Sequence, residues 1–159
     1  MTRYDLEAST QTLGQAECEA LLAQGTMGRV AFVVGEYPTI LPVNYALYDG
    51  LVVFRTDAGA KLSNIPMSSV AFEIDGRDGS TSAWSVMVQG RAREVTTALG
   101  DRYDALRRLE ITVLAPGDKT HWVAIEIVHL SGRSIALRGS ETDSADAPQV
   151  ERSRGSRER

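Results

Sequence analysis

Two apolar, β-branched runs, Thr39 to Leu47 and Leu51 to Thr56, are joined by little more than the dipeptide Asp49-Gly50. Asp-Gly supplies the positive φ angles that a tight hairpin turn demands. A connection this short can only join antiparallel neighbours, because a parallel crossover needs a dozen or more residues. The same punctuation recurs along the chain. Arg29 to Val34 is a further strand, closed by the turn signal Gly35-Glu36. Val70 to Ile74 reads as a fourth strand and Trp84 to Val95 as a long fifth. His121 to Leu130 and Ser131 to Leu137 give one or two more, divided at Ser131-Gly132. Closely spaced strands with hairpin signals predict an antiparallel sheet rather than alternating βαβ units. Six or so strands in a chain of 159 residues curl most naturally into a small barrel. Pro42 falls inside the second of these strands and cannot donate to a ladder, so it marks an edge, a bulge or a break that faces a ligand.

Two helices flank the strands. Cys18, Leu21 and Leu22 share one face of a helix near Gln15 to Ala23, which Gly25 stops. Leu99, Tyr103, Leu106 and Leu109 fall at helical spacing within Thr97 to Leu109. Gly59 to Met67 reads as a short helix or loop ended near Pro66. From about Gly139 the character changes. Ser140 to Arg159 carries Ser, Asp, Glu and Arg with only Val150 as a substantial apolar side chain. Such a segment cannot bury enough surface to offset its ordering entropy, which predicts a domain over 1–138 and a disordered polar tail over 139–159.

The composition excludes several functions. A net charge of −4 gives no broad nucleic-acid footprint. A single cysteine excludes an internal disulfide framework and fits a reducing, cytoplasmic setting. No apolar run is long enough to span a bilayer, and the first residues lack the pattern of a signal peptide. There is no GxGxxG, GxxxxGK[ST] or HExxH motif. His121, His129 and Cys18 do not form a metal-ligand spacing, and both histidines read as structural. Cys18 has no nearby His, Lys or CxxC partner and reads as a small buried hydrophobe.

One local constellation carries chemistry. The strand ending Phe54-Arg55-Thr56 runs into the small-residue loop Asp57-Ala58-Gly59-Ala60 and then Lys61. Arg55 offers a planar fork of donors, Lys61 a flexible point charge and Thr56 a hydroxyl, and the loop lets a ligand approach the backbone. That set suits a phosphate; the competing reading is a strand end with two solvated cations. Leu41-Pro42-Val43-Asn44 joins an interrupted ladder to an amide side chain and can serve the polar edge of a flat heterocycle. Trp84-Ser85 offers an aromatic face and a hydroxyl, or ordinary core packing.

Taken in order, Gly28-Arg29-Val30, Leu41-Pro42-Val43-Asn44-Tyr45, Val53-Phe54-Arg55-Thr56, Lys61-Leu62, Val70-Ala71-Phe72-Glu73 and Trp84-Ser85-Val86-Met87-Val88-Gln89-Gly90 resemble the pyridoxamine 5′-phosphate oxidase-like family of FMN-binding split barrels. The branch with nitroimidazole-reductase-like members is the most similar. The resemblance extends over about Thr12 to Ile135. It implies a mainly β (α+β) split barrel and a homodimer with FMN at the subunit interface. Arg55, Thr56 and Lys61 would hold the phosphate, Leu41 to Asn44 would line the ring, and Leu62, Trp84 and Ser85 would complete the pocket. The implied activity is a flavin-dependent oxidoreductase acting on a small molecule, the protein positioning the flavin and no side chain being nominated as catalytic. The alternative is a binding or sensor protein for flavin, deazaflavin or haem. Ala83 and Leu114 depart from the residues common in this branch, Gly and Trp. The polar tail replaces the region that binds the substrate phosphate in true pyridoxamine 5′-phosphate oxidases, which argues against a vitamin B6 substrate.

Overall fold

A computed structural model describes residues 9–57, 69–79, 82–112 and 119–136. The elements in order are β1 (Ser9–Thr12), α1 (Gln15–Gln24), β2 (Met27–Val34), β3 (Tyr37–Tyr48), β4 (Leu51–Thr56), β5 (Ser69–Asp78), β6 (Ser82–Glu94), α2 (Asp101–Arg107) and β7 (His121–Ala136). The strands form one antiparallel sheet in the order β1-β7-β4-β3-β2-β5-β6, and β6 pairs back onto β7. That last pairing closes β2 to β7 into a barrel and leaves β1 outside it, laid along the end of β7.

The side-chain alternation of each strand explains its place. On β2, Val30 and Phe32 are buried while Met27 and Val33 are exposed; on β6, Val86, Val88 and Ala92 are buried between exposed neighbours. One face of these strands therefore fills the barrel and the other looks outward. β4 differs: Leu51, Val52, Val53 and Phe54 are all buried. A continuous apolar run is required there because both faces are covered. Val52 and Phe54 enter the barrel core with Phe72, Val88 and Ile125. Leu51 and Val53 pack outside it with Trp122, Ala124, Val95, Leu106 and Ile111, beneath the segment containing α2.

α1 closes one end of the barrel. Cys18 and Leu22 point into the core, and the Tyr45 hydroxyl donates to the Leu22 carbonyl at 2.7 Å. The Gly14 N–H donates to Glu17 Oε2 at 2.7 Å, which satisfies a donor at the helix start. Asp49 and Gly50 make the β3–β4 turn with φ of +49° and +72°, as the hairpin signal requires.

Of the one or two strands expected after His121, the structure forms one, β7, unbroken at Ser131-Gly132. Gly132 is needed for close approach instead: a Cβ there would lie 2.6 Å from Cys18 Sγ. The helix expected over Thr97 to Leu109 is a 3-10 turn at Thr97–Leu99, a break at Gly100 with φ +59°, and then α2. The polar β1, which has no apolar alternation, was not expected at all. β7 also carries a bulge: Gly90 pairs with Ile127 and Gln89 with His129, leaving Val128 unpaired. The loop or helix placed at Gly59 to Met67, Leu114 and the polar tail lie outside the described residues.

Candidate functional site: a polar mouth at one end of the barrel

Pro42 sits in the middle of β3 without breaking it, and the ladder shows why. The Tyr45 N–H donates to the Thr26 carbonyl across to the β2 side. Backbone direction alternates along a strand, so the odd residues of β3 bond toward β2 and the even ones face the β4 side. The β3–β4 pairing covers only Tyr45 to Tyr48. Pro38 and Pro42 therefore place their missing donors on an edge that β4 does not reach, and Pro42 is exposed. Among the described residues this stretch is an edge, one of the three readings the sequence left open. Leu41 and Val43 turn inward against the barrel core. Asn44 donates through Nδ2 to the Thr26 carbonyl at 3.3 Å.

β4 ends beside this edge. One step beyond the Tyr45–Phe54 pair, the register brings Asn44 level with Arg55, and a second step brings Val43 level with Thr56. Leu41 to Asn44 thus run alongside Arg55-Thr56, and Arg55-Thr56 end β4 beside the start of β7, at the barrel end away from α1. Arg55 and Thr56, being adjacent on a strand, face opposite ways. Arg55 is on the outer side, its guanidinium 5.2 Å from the Trp122 ring centre and its Nε–H donating to the Lys119 carbonyl at 2.9 Å. Arg107 on α2 lies 5.5 Å from the same ring and donates to the Thr120 carbonyl at 3.4 Å. The two arginines pin the start of β7. Thr56 has the inward parity and pairs across with His121.

Four further polar residues join this mouth, and the sequence did not single them out for it. Asp57 Oδ2 pairs with Lys119 Nζ, and His121 Nδ1 lies 2.8 Å from Glu94 Oε1. The second oxygen of Asp57, Oδ1, is buried with no hydrogen-bond partner. A carboxylate oxygen only accepts, so an orphan here is completed by a hydroxyl or N–H donor. Asp57 directly follows Thr56, which was a readable signal. The pairing of Glu94 with His121 spans 27 positions and leaves no local trace.

Trp84 and Ser85 are not brought to this mouth within one chain. They lie at the far end of β6 from Glu94, nine residues away, or about 30 Å along an extended strand. Trp84 packs over Gly76, where a Cβ would meet its ring at 2.4 Å, and borders Leu13 and Leu21 beside α1. Ser85 is exposed on the outer face opposite Asp75. Lys61 and Leu62 lie outside the described residues. Among the described residues no cluster of metal-ligating side chains occurs, and no helix is long and apolar enough to cross a membrane.

Known proteins share this plan. An uncharacterised protein of Mycobacterium tuberculosis is 41% identical over 91 residues, which cover 53% of this chain and 60% of that protein, so the chain spans about three fifths of this curated relative. The structure of an FAD-binding protein from Mycobacterium smegmatis superimposes with a TM-score of 0.68 at 33% identity, over 79% of this chain and 98% of that one. A candidate pyridoxamine 5′-phosphate oxidase from Corynebacterium glutamicum gives 0.70 at 29% identity, over 81% and 100%. The family model described as pyridoxamine 5′-phosphate oxidase matches residues 14–134, which takes in the barrel from α1 to β7, and the chain belongs to that family.

Proposed function

We propose that the chain is a flavin-binding protein, that its flavin is FMN, and that it acts as an oxidoreductase on a small molecule. The observation that carries this reading is that Leu41 to Asn44 lie on the strand beside Arg55 and Thr56, next to Asp57 with its buried, unpartnered oxygen. The chemistry of that set fits a phosphorylated polyol bearing a flat ring. Arg55 and Thr56 supply donors for a phosphate. Asp57 Oδ1 supplies the acceptor that a polyol hydroxyl needs. Leu41 and Val43 give an apolar wall, and the part of β3 that β4 does not reach offers backbone groups to a heterocycle. The M. smegmatis relative supports a flavin of the same class, since it is described as FAD-binding. When bound, a flavin supplies the electron transfer, and the residues here bind it, orient it and exclude water.

The same reading includes a homodimer. Trp84-Ser85 and Arg55-Thr56 occupy opposite ends of one barrel, so a pocket using all of them draws on two copies. The strands carrying Val43, Val53 and Val86 would supply the interface. Val53 and Val86 themselves are fully buried, and the exposed apolar side chains include Met27 and Val33 on β2, Ile40 on β3 and Met87 on β6. These lie on the outer face of the sheet, a surface that a symmetric second copy would cover.

The absorbance spectrum of the protein as purified, with mass analysis of the released ligand, tests the cofactor. A flavin spectrum and the mass of FMN are expected; a Soret band or a deazaflavin mass overturns the assignment. Bleaching by NAD(P)H with reoxidation in air is expected of an enzyme, and a flavin that never turns over favours a binding role. Light scattering across dilution, with flavin fluorescence followed in parallel, tests the dimer. A monomer that keeps its flavin contradicts the shared pocket.

A further inference from the structure

His121 read in the sequence as a structural residue, and the fold gives it a different setting. It is the first residue of β7, paired across the ladder with Thr56, and its side chain is one-third exposed. Val123 and Ile125 on the same strand point into the barrel, so His121 shares their parity and stands at the rim of the mouth. Glu94 ends β6 and holds Nδ1 at 2.8 Å. A carboxylate only accepts, so Nδ1 carries the proton and Nε2 is left to meet a ligand. The neutral ring would offer Nε2 as an acceptor. The protonated ring offers it as a donor, and Glu94 balances the charge.

We propose that His121, oriented by Glu94, is a phosphate-binding residue of the flavin site, donating from Nε2 beside the Thr56 hydroxyl. The proposal rests on the flavin reading above and adds to it an anion contact from β7. The neighbouring cations are only partly available. Lys119 is paired with Asp57, and Arg55 has its Nε–H on the Lys119 carbonyl and its fork against Trp122. The charged groups on the elements next to His121 among the described residues are Glu94 on β6, Arg55 on β4, Asp57 just after it, Lys119 just before β7, and Arg107 on α2. Of these, Glu94 is the one that holds the ring. A phosphate oxygen accepts, so the contact is made by an Nε2 that carries a proton.

The test uses the full chain, titrated with FMN and with riboflavin, which lacks the phosphate. His121→Gln and His121→Ala should each weaken FMN by about tenfold, the loss of one charge-assisted contact, and riboflavin by less than about twofold. Glu94→Gln should weaken FMN by a smaller factor. Equal losses for FMN and riboflavin, or none, overturn the role of His121 while leaving flavin binding in place. A wild-type protein that binds neither flavin overturns the flavin reading and this proposal together. Melting curves of both variants separate a binding loss from a folding defect.

Discussion

The two ends of the barrel are built on opposite principles. The end closed by α1 is dry and internally satisfied. Leu22 and Cys18 are 0% and 1% exposed, the Tyr45 hydroxyl spends its donor on the Leu22 carbonyl, and Trp84 covers Gly76. The opposite end gathers Arg55, Thr56, Asp57, Lys119, His121 and Glu94, with one acceptor left orphaned. Apolar burial without unpaired polar groups is how a fold holds together. A half-exposed polar cluster with an unmet partner contributes little to stability and is where a ligand can add binding energy. The buried side chains beneath α1 thus serve stability and the polar cluster at the other end serves recognition, and mutations in the two should separate in kind.

The largest effect belongs to the closed end. Leu22→Ala removes a fully buried side chain from the helix that plugs the barrel, and should cost about 2–5 kcal/mol of stability in urea unfolding. Flavin affinity of the folded fraction should stay within a factor of about two. A variant that folds normally but loses flavin would break the division. Arg55→Ala probes the open end. It should weaken FMN by about tenfold to a hundredfold while sparing riboflavin, as expected for a charge-assisted phosphate contact of ~1.5–3 kcal/mol. Its bond to the Lys119 carbonyl adds a modest fall in melting temperature. Equal losses for both flavins would reduce Arg55 to a brace for the start of β7.

Tyr45→Phe sharpens the account of the closed end. It deletes the bond to Leu22 and should cost about 1 kcal/mol. Burial pushes the Tyr45 hydroxyl up to about 12. In the unfolded chain a tyrosine ionises near ~10. Above that pH the unfolded state holds fewer protons than the native one, so stability falls as pH rises. The wild type should therefore be steady below pH ~10 and lose stability between there and about 12, and Tyr45→Phe should flatten that slope. The smallest effect is expected at the Arg102–Asp49 pair, whose side chains are 55% and 60% exposed. Arg102→Ala should change stability by less than about 1 kcal/mol, an effect that vanishes in high salt. A larger, salt-resistant loss would show that charge as well as apolar packing secures the β3–β4 turn.

Much of this division is already written locally. The apolar face of α1, the Asp49-Gly50 turn and the buried run of β4 are short-range patterns, and each appears where the sequence places it. Arg55 and Thr56 were readable as a polar strand end for the same reason. Their setting was not. That Arg55 stacks on Trp122 rather than standing free depends on a β4–β7 pairing across some 67 positions. Glu94 and His121 are likewise joined only by the closure of β6 onto β7. Trp84 and Ser85 sit in a motif that reads like pocket lining, yet within one chain they fall at the closed end.

What the sequence by itself determined is the local grammar: where most strands run, where hairpins turn, which helix face is apolar, and that β4 ends in polar residues. These depend on alternation, turn residues and propensity, which act over a few residues. Only the tertiary structure decided that β6 is the strand that closes onto β7, that β7 runs unbroken past Gly132, that β1 joins it, and that Glu94 meets His121 beside Thr56. The physical reason is that ladder register and barrel closure are set by the packing of all the strands at once. A polar β1 and a glycine that a cysteine presses against carry no pattern of their own until that packing exists.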